Sequence, residues 1–168
     1  LCLVQLSSGN GVCHLVQIQN NGIKPKNLIK LLKNKKILKI FHYARFDVAI
    51  LNYNFDIKVN SIYCTKIASK LVRTFTNKHG LKDLCQELLN VKIIKTNQCS
   101  DWGKEGLSKS QLKYAATDVL YLHELKKILN KMLIREQRLE LANECFNFIN
   151  NKTELDLLGW NQTDIFEH

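Results

Sequence analysis

Short apolar runs alternate along this chain with stretches of helical spacing, and that alternation restricts it to a layered fold of strands and helices. Leu1 to Leu6 and Val12 to Ile18 are apolar runs joined by Ser7-Ser8-Gly9-Asn10-Gly11, a composition that predicts a β-hairpin. Asn20-Asn21-Gly22 ends it. Pro25 suits the first turn of a helix, and Leu28, Ile29, Leu31 and Leu32 give that helix an apolar face as far as Asn34. Residues 36–41 are an apolar run short enough for a buried strand. A helix over 46–53 and a short strand over 57–59 follow.

From Tyr63 onward the spacing is helical. Ile67 and Leu71 belong to one helix, and Leu81, Leu84, Cys85, Leu88 and Leu89 to a second, with Gly80 as the break between them. Ser108 followed three residues later by Gln111 is a capping box that opens another helix. Its apolar positions continue through Leu122, Leu125, Leu129 and Leu133. A last helix is expected over 136–149, and residues 150–168, which lack a clear period, read as a loosely packed tail. No internal repeat or low-complexity linker divides the chain, so residues 1–168 read as a single domain, an α/β or α+β layer fold with a mixed sheet.

With 168 residues and 45% hydrophobic composition, the chain can bury a substantial core. It contains no run of 18 apolar residues and no charged-then-apolar leader, which argues against a membrane partner and for a cytoplasmic protein. Its six cysteines include no C-x-x-C pair, so they read as reduced thiols and not as a zinc site. The formal charge of +10 favours a polyanionic partner.

Two clusters carry chemistry. Tyr114 and Asp118 stand four residues apart on the capped helix. At about 100° per residue they differ by roughly 40°, so one face presents a hydroxyl and a carboxylate together. The second cluster is His42-Tyr43-Ala44-Arg45-Phe46-Asp47. A strand ending at Phe41 places His42 in a loop and Asp47 in the first turn of the next helix, where the helix dipole tolerates a carboxylate. From spacing alone, Asp47 reads first as a helix-start residue and His42 as a hydrogen-bonded loop histidine.

These clusters resemble known motifs. His42 through Asp47 looks like the second motif of the DEDD exonucleases, and Tyr114 with Asp118 looks like the third motif in its tyrosine-bearing form. Gly80-Leu81-Lys82-Asp83-Leu84-Cys85 and Ser100-Asp101-Trp102 are similar to connecting segments of RNase D-type 3′–5′ exonucleases. The match runs to about Leu133. It implies an RNase H-like fold, with a mixed central sheet flanked by helices, and a short form without helical HRDC domains. It also implies a hydrolase using two divalent cations, Mg²⁺ or Mn²⁺, to remove nucleotides from single-stranded 3′ ends, RNA favoured over DNA, in RNA processing or turnover.

Under that resemblance Asp118 and Asp47 are metal ligands, and Tyr114 orients the attacking water. His42, Arg45, Phe46 and Trp102 are substrate contacts, with Tyr43 as a further stacking candidate. Lys66, Lys70, Arg73, Lys78, His79 and Lys95 are available to phosphates. The family's first motif, an Asp-x-Glu on the first strand, has no counterpart here, and the chain opens on Leu1. The expectation is therefore an N-terminally incomplete exonuclease domain lacking its first strand. The alternative is a catalytically inactive nucleic-acid-binding module or truncated remnant.

Overall fold

The computed structural model describes residues 1–18, 23–93, 100–104 and 106–167. The expected hairpin is present as β1 (Leu3–Leu6) and β2 (His14–Gln17), antiparallel, with Val4 opposite Val16. Side chains close its turn. Ser7 Oγ donates to the Val12 carbonyl at 2.7 Å, and Asn10 Oδ1 accepts from the Val12 N–H at 3.1 Å. Helix α1 (Lys26–Lys33) buries Leu28 and Leu32 and leaves Lys26, Lys30 and Lys33 in water.

Strand β3 (Lys39–Phe41) pairs in parallel with β4 (Ile62–Cys64), Ile40 opposite Tyr63. Parallel neighbours need a crossover, and α2 (Ala44–Phe55) provides it. Helices α3 (Thr65–Val72), α4 (Leu81–Leu89), α5 (Lys109–Leu120), α6 (Leu122–Arg135) and α7 (Leu139–Leu155) follow, and a π-turn, Asp156–Trp160, ends the regular structure. Among the described residues, β1 forms a ladder only with β2 and β3 only with β4. The sheet is thus two short pairs, one antiparallel and one parallel. None of the described helices is long and apolar enough to cross a membrane.

The core lies beneath the parallel pair. Leu122, Leu125, Leu129 and Leu133 recur every three or four residues along α6 and are buried, the stripe expected of a helix with one covered face. Helix α6 packs on α3, whose Ala68 and Ser69 allow close approach, and α7 packs on α2. The Phe146 ring of α7 sits 4.6 Å from that of Tyr63 in β4.

Three expectations need correction. The strand expected at 57–59 lies instead at Ile62–Cys64. Tyr63 does not begin a helix: a fully buried three-residue strand has no alternation to betray it, and α3 starts at Thr65 directly behind. The last helix does not stop at 149, because Ile149 and Thr153 keep the buried face in register to Leu155. Much of the supposed tail is therefore helix, and only residues 161–167 are exposed and irregular. The turn at Asn20-Asn21-Gly22, Lys95 and Cys99 lie outside the described residues.

Leu129 is fully buried, so Leu129→Ala is expected to cost about 2–5 kcal/mol. Urea unfolding should show this as a lower midpoint at an unchanged slope.

Candidate active site

One wall of the site is made where β3 turns into α2. The turn is tight: Tyr43 sits at φ 68, a left-handed conformation rare for a bulky residue. Tyr43 and Phe46 are consequently displayed outward, 47% and 60% exposed, with parallel rings 6.5 Å apart. Asp47, in the same first helical turn, faces inward. Lys66 of α3 places its Nζ 4.0 Å over the Tyr43 ring. His42 is fixed by Thr65, whose hydroxyl donates to the Phe41 carbonyl at 3.1 Å and lies 3.0 Å from His42 Nδ1. With that hydroxyl proton committed to Phe41, the His42 Nδ1–H is the donor to Thr65 Oγ1.

The opposite wall is α5. Its capping box is formed as the sequence predicts: Ser108 Oγ accepts from the Gln111 N–H at 3.3 Å, and Gln111 Oε1 accepts from the Ser108 N–H at 3.0 Å. Gln111 does more than cap. Its Nε2 donates to the Asp101 carbonyl at 3.0 Å and ties the Ser100-Asp101-Trp102 segment to the helix start. Trp102 then stands 5.9 Å from Tyr114, their rings inclined by 34°. Beyond α5, His123 supports the hairpin tip. Gly9, at φ 82, lies so close that a β-carbon there would fall 2.8 Å from the His123 ring.

Both walls open onto a single cleft of about 1420 Å³. Asp47, Tyr114 and Asp118 all line it, as do His42, Phe46 and Trp102. The two carboxylates interact. Burial, and then the negative charge of Asp118, push the Asp47 carboxyl up to about 7. The same charge adds to the burial that raises the Cys13 thiol, which places Asp118 beside the hairpin as well.

Arg45 takes a different direction. Its guanidinium donates to both carboxylate oxygens of Asp156, at 2.5 and 2.8 Å, and to the Asn161 carbonyl at 2.9 Å. It is absent from the cleft lining and anchors α2 to the C-terminal π-turn. Sequence reading overlooked Gln111 as a tether and Thr65 as the partner of His42. The capping box disclosed Gln111 only as a cap, and nothing local to Thr65 points to a residue 23 positions away.

Carboxylate oxygens suit a hard cation, and two carboxylates that repel one another in a half-buried cleft gain most from a positive charge between them. The donors present fit such an ion as part of its ligand set. Among the described residues, no group of three or more His, Cys, Asp or Glu side chains gathers to complete one.

The family model of a 3′–5′ exonuclease matches residues 1–134. The chain belongs to the 3′–5′ exonuclease family. Within it the likeness is to the ribonuclease D type. Ribonuclease D of Gluconacetobacter diazotrophicus is 35% identical over 140 residues, 83% of this chain and 35% of that protein. Ribonuclease D of Acidiphilium cryptum is 33% identical over 86% of this chain and 36% of that protein. The chain thus spans about a third of these relatives. Among solved structures, Brucella melitensis NrnC superposes with a TM-score of 0.96 at 51% identity, over 99% of this chain and 81% of that one. It has also been solved with bound Mg²⁺ and bound to pGG. Escherichia coli RNase D matches with a TM-score of 0.76 at 25% identity, over 90% of this chain and 40% of that one. The α/β fold is accordingly the RNase H-like one.

The raised Asp47 carboxyl has a consequence for folding. Between its ordinary value near 3.8 and about 7, the folded chain holds a proton that the unfolded chain has released. Asp47 therefore contributes stability that is complete below pH 3.8 and is lost as the pH rises through 7. Metal-free chain should lose stability over this interval in a pH series of urea midpoints, and Asp47→Asn should flatten that part of the curve.

Proposed function

We propose that this domain removes nucleotides from the 3′ end of single-stranded nucleic acid, RNA in preference to DNA, with two divalent cations, Mg²⁺ or Mn²⁺, held in part by Asp47 and Asp118. The observation that carries the reading is the convergence of Asp47, from the turn after β3, with Tyr114 and Asp118 of α5 in one cleft. Family membership supports it, as does the relative bound to pGG. The net charge of +10 suits a polyanion. Cys2, Cys13, Cys64, Cys85 and Cys145 are free thiols, consistent with a cytoplasmic setting.

The reaction is an in-line displacement at the terminal phosphodiester. A water oxygen forms a bond to phosphorus, the bond from phosphorus to the 3′ oxygen of the preceding nucleotide breaks, and that oxygen takes up a proton. The cations would stabilise the attacking and leaving oxygens. Asp118 and Asp47 supply carboxylate oxygens from opposite walls. Tyr114, held by the Trp102 ring and by the tether through Gln111, directs its hydroxyl to the water and aligns it. Phe46 and Tyr43 offer flat, exposed rings to the terminal base, and Lys66, poised over Tyr43, is within reach of the adjoining phosphate. His42, fixed by Thr65, lines the cleft along the path of the substrate.

Two carboxylates are half of the four acidic residues that the family resemblance implies. The cleft also has room for the remainder. It is bordered on one side by β1 and on the other by β3, each with an open ladder edge among the described residues. We assign this space to the Asp-x-Glu-bearing strand that the family resemblance implies. Set between β1 and β3, a single strand would pair with both, join the two short pairs into one mixed sheet, and add two carboxylates beside Asp47 and Asp118.

With Mn²⁺ or Mg²⁺ and a 5′-labelled oligoribonucleotide, shortening from the 3′ end is expected. Tyr114→Phe should slow it about 100-fold, and Asp118→Asn or chelation of the metal should abolish it. Turnover that survives Asp118→Asn contradicts the assignment. Metal-insensitive binding without turnover would favour the inactive binding module. An added peptide of alternating apolar pattern with a central Asp-x-Glu is expected to raise the rate, and a peptide with Asn-x-Gln is not.

A further inference from the structure

The connection between α3 and α4 is gripped from beneath by a buried guanidinium. Arg73 is only 1% exposed. Its Nη1 donates to the Lys78 carbonyl at 2.7 Å and to Ser69 Oγ at 3.3 Å, and its Nη2 pairs with Glu87 of α4. Ser69 Oγ also meets His79 Nδ1 at 2.8 Å. The backbone is tied within itself, Thr76 N–H to the Arg73 carbonyl and His79 N–H to the Asn77 carbonyl, and Thr76 Oγ1 accepts from the Lys78 N–H at 3.1 Å. So firmly held a loop is preorganised, and binding to it carries little ordering cost.

What the loop displays is an aromatic ring among cations. Phe75 is 78% exposed, with the Arg73 guanidinium 5.8 Å from its centroid. Lys70, on the preceding helix, and Lys78, three positions further along the loop, are exposed. Burial, together with the positive charges of Arg73, Lys70 and Lys66, holds His79 below the usual histidine range. The far end of the loop runs into the cleft, which Gly80, Leu81, Lys82 and Lys66 line. Phe75 is five positions from Gly80, so at no more than about 3.6 Å per residue Phe75 is within ~18 Å of the cleft.

We propose that the segment from Arg73 to Lys82 is a second substrate surface, a track that carries single-stranded RNA away from the cleft, with Phe75 stacking on a base several nucleotides before the reacting 3′ end. This rests on the exonuclease reading of the cleft and extends it to substrate length. Basic side chains interleaved with an exposed ring are the composition that binds single strands. Phe75 is absent from the cleft lining, so a dinucleotide held in the cleft leaves it uncovered, whereas at roughly 3.4 Å per stacked nucleotide a heptanucleotide spans the distance.

The test measures binding of the 168-residue chain to a di- and a heptaribonucleotide without metal, by calorimetry. Phe75→Ala should weaken the heptanucleotide roughly tenfold, within the range that removal of one stacking ring produces, and leave the dinucleotide unchanged. Phe75→Trp should restore the longer ligand. Lys78→Gln should lower the slope of log K against log salt by about 0.7 for the heptanucleotide alone. Equal effects of Phe75→Ala on both lengths, or on neither, overturn the track and leave the cleft to the Asp118→Asn assay. Failure of the unaltered chain to bind either length overturns both.

Discussion

Two carboxylates of like charge, held in one half-buried cleft, are the constraint on which the rest of this structure turns. Asp47 and Asp118 stand 71 positions apart in sequence, yet the charge of Asp118 acts on the Asp47 carboxyl. An arrangement that disfavours ionisation persists only if the scaffold holds both side chains in place. Here the scaffold does so twice. The tight turn at Tyr43 and the parallel ladder beneath it fix the start of α2. The Ser108 and Gln111 box, with its tether to Asp101, fixes the start of α5.

Each support also has a partner far away in the chain. Arg45, two residues from Asp47, is held by Asp156 and Asn161 at the C-terminal end, beyond the residues that the family model matches. Arg73, buried between α3 and α4, fixes the loop that leads to the cleft from the other side. Charged side chains therefore do structural work around the cleft that Asp47 and Asp118 line.

Much of this is legible in the sequence, where the signal is local. The hairpin follows from Gly9-Asn10-Gly11 between apolar runs, and the start of α5 from the spacing of Ser108 and Gln111. The shared face of Tyr114 and Asp118 follows from helix geometry alone. The convergence of Asp47 on that face does not: spacing left it readable as a helix-start residue, and only the resemblance to a family, then the fold, joined the two walls. Strand β4 escaped because three buried residues carry no period. The extent of α7 escaped because Asn150, Asn151 and Lys152 interrupt its apolar pattern while Ile149 and Thr153 preserve its buried face. Arg45 read as a substrate contact because its partner, Asp156, lies 111 residues on.

The claim that Asp47 and Asp118 share one centre is tested most directly by the titration of Asp47 itself, followed through its carboxyl carbon by NMR in metal-free chain. The account predicts a midpoint near 7. In Asp118→Asn the midpoint should move down while staying above the ordinary carboxylate range, because burial remains after the neighbouring charge is gone. A midpoint near 4 in the unaltered chain, or one that Asp118→Asn leaves in place, would contradict it.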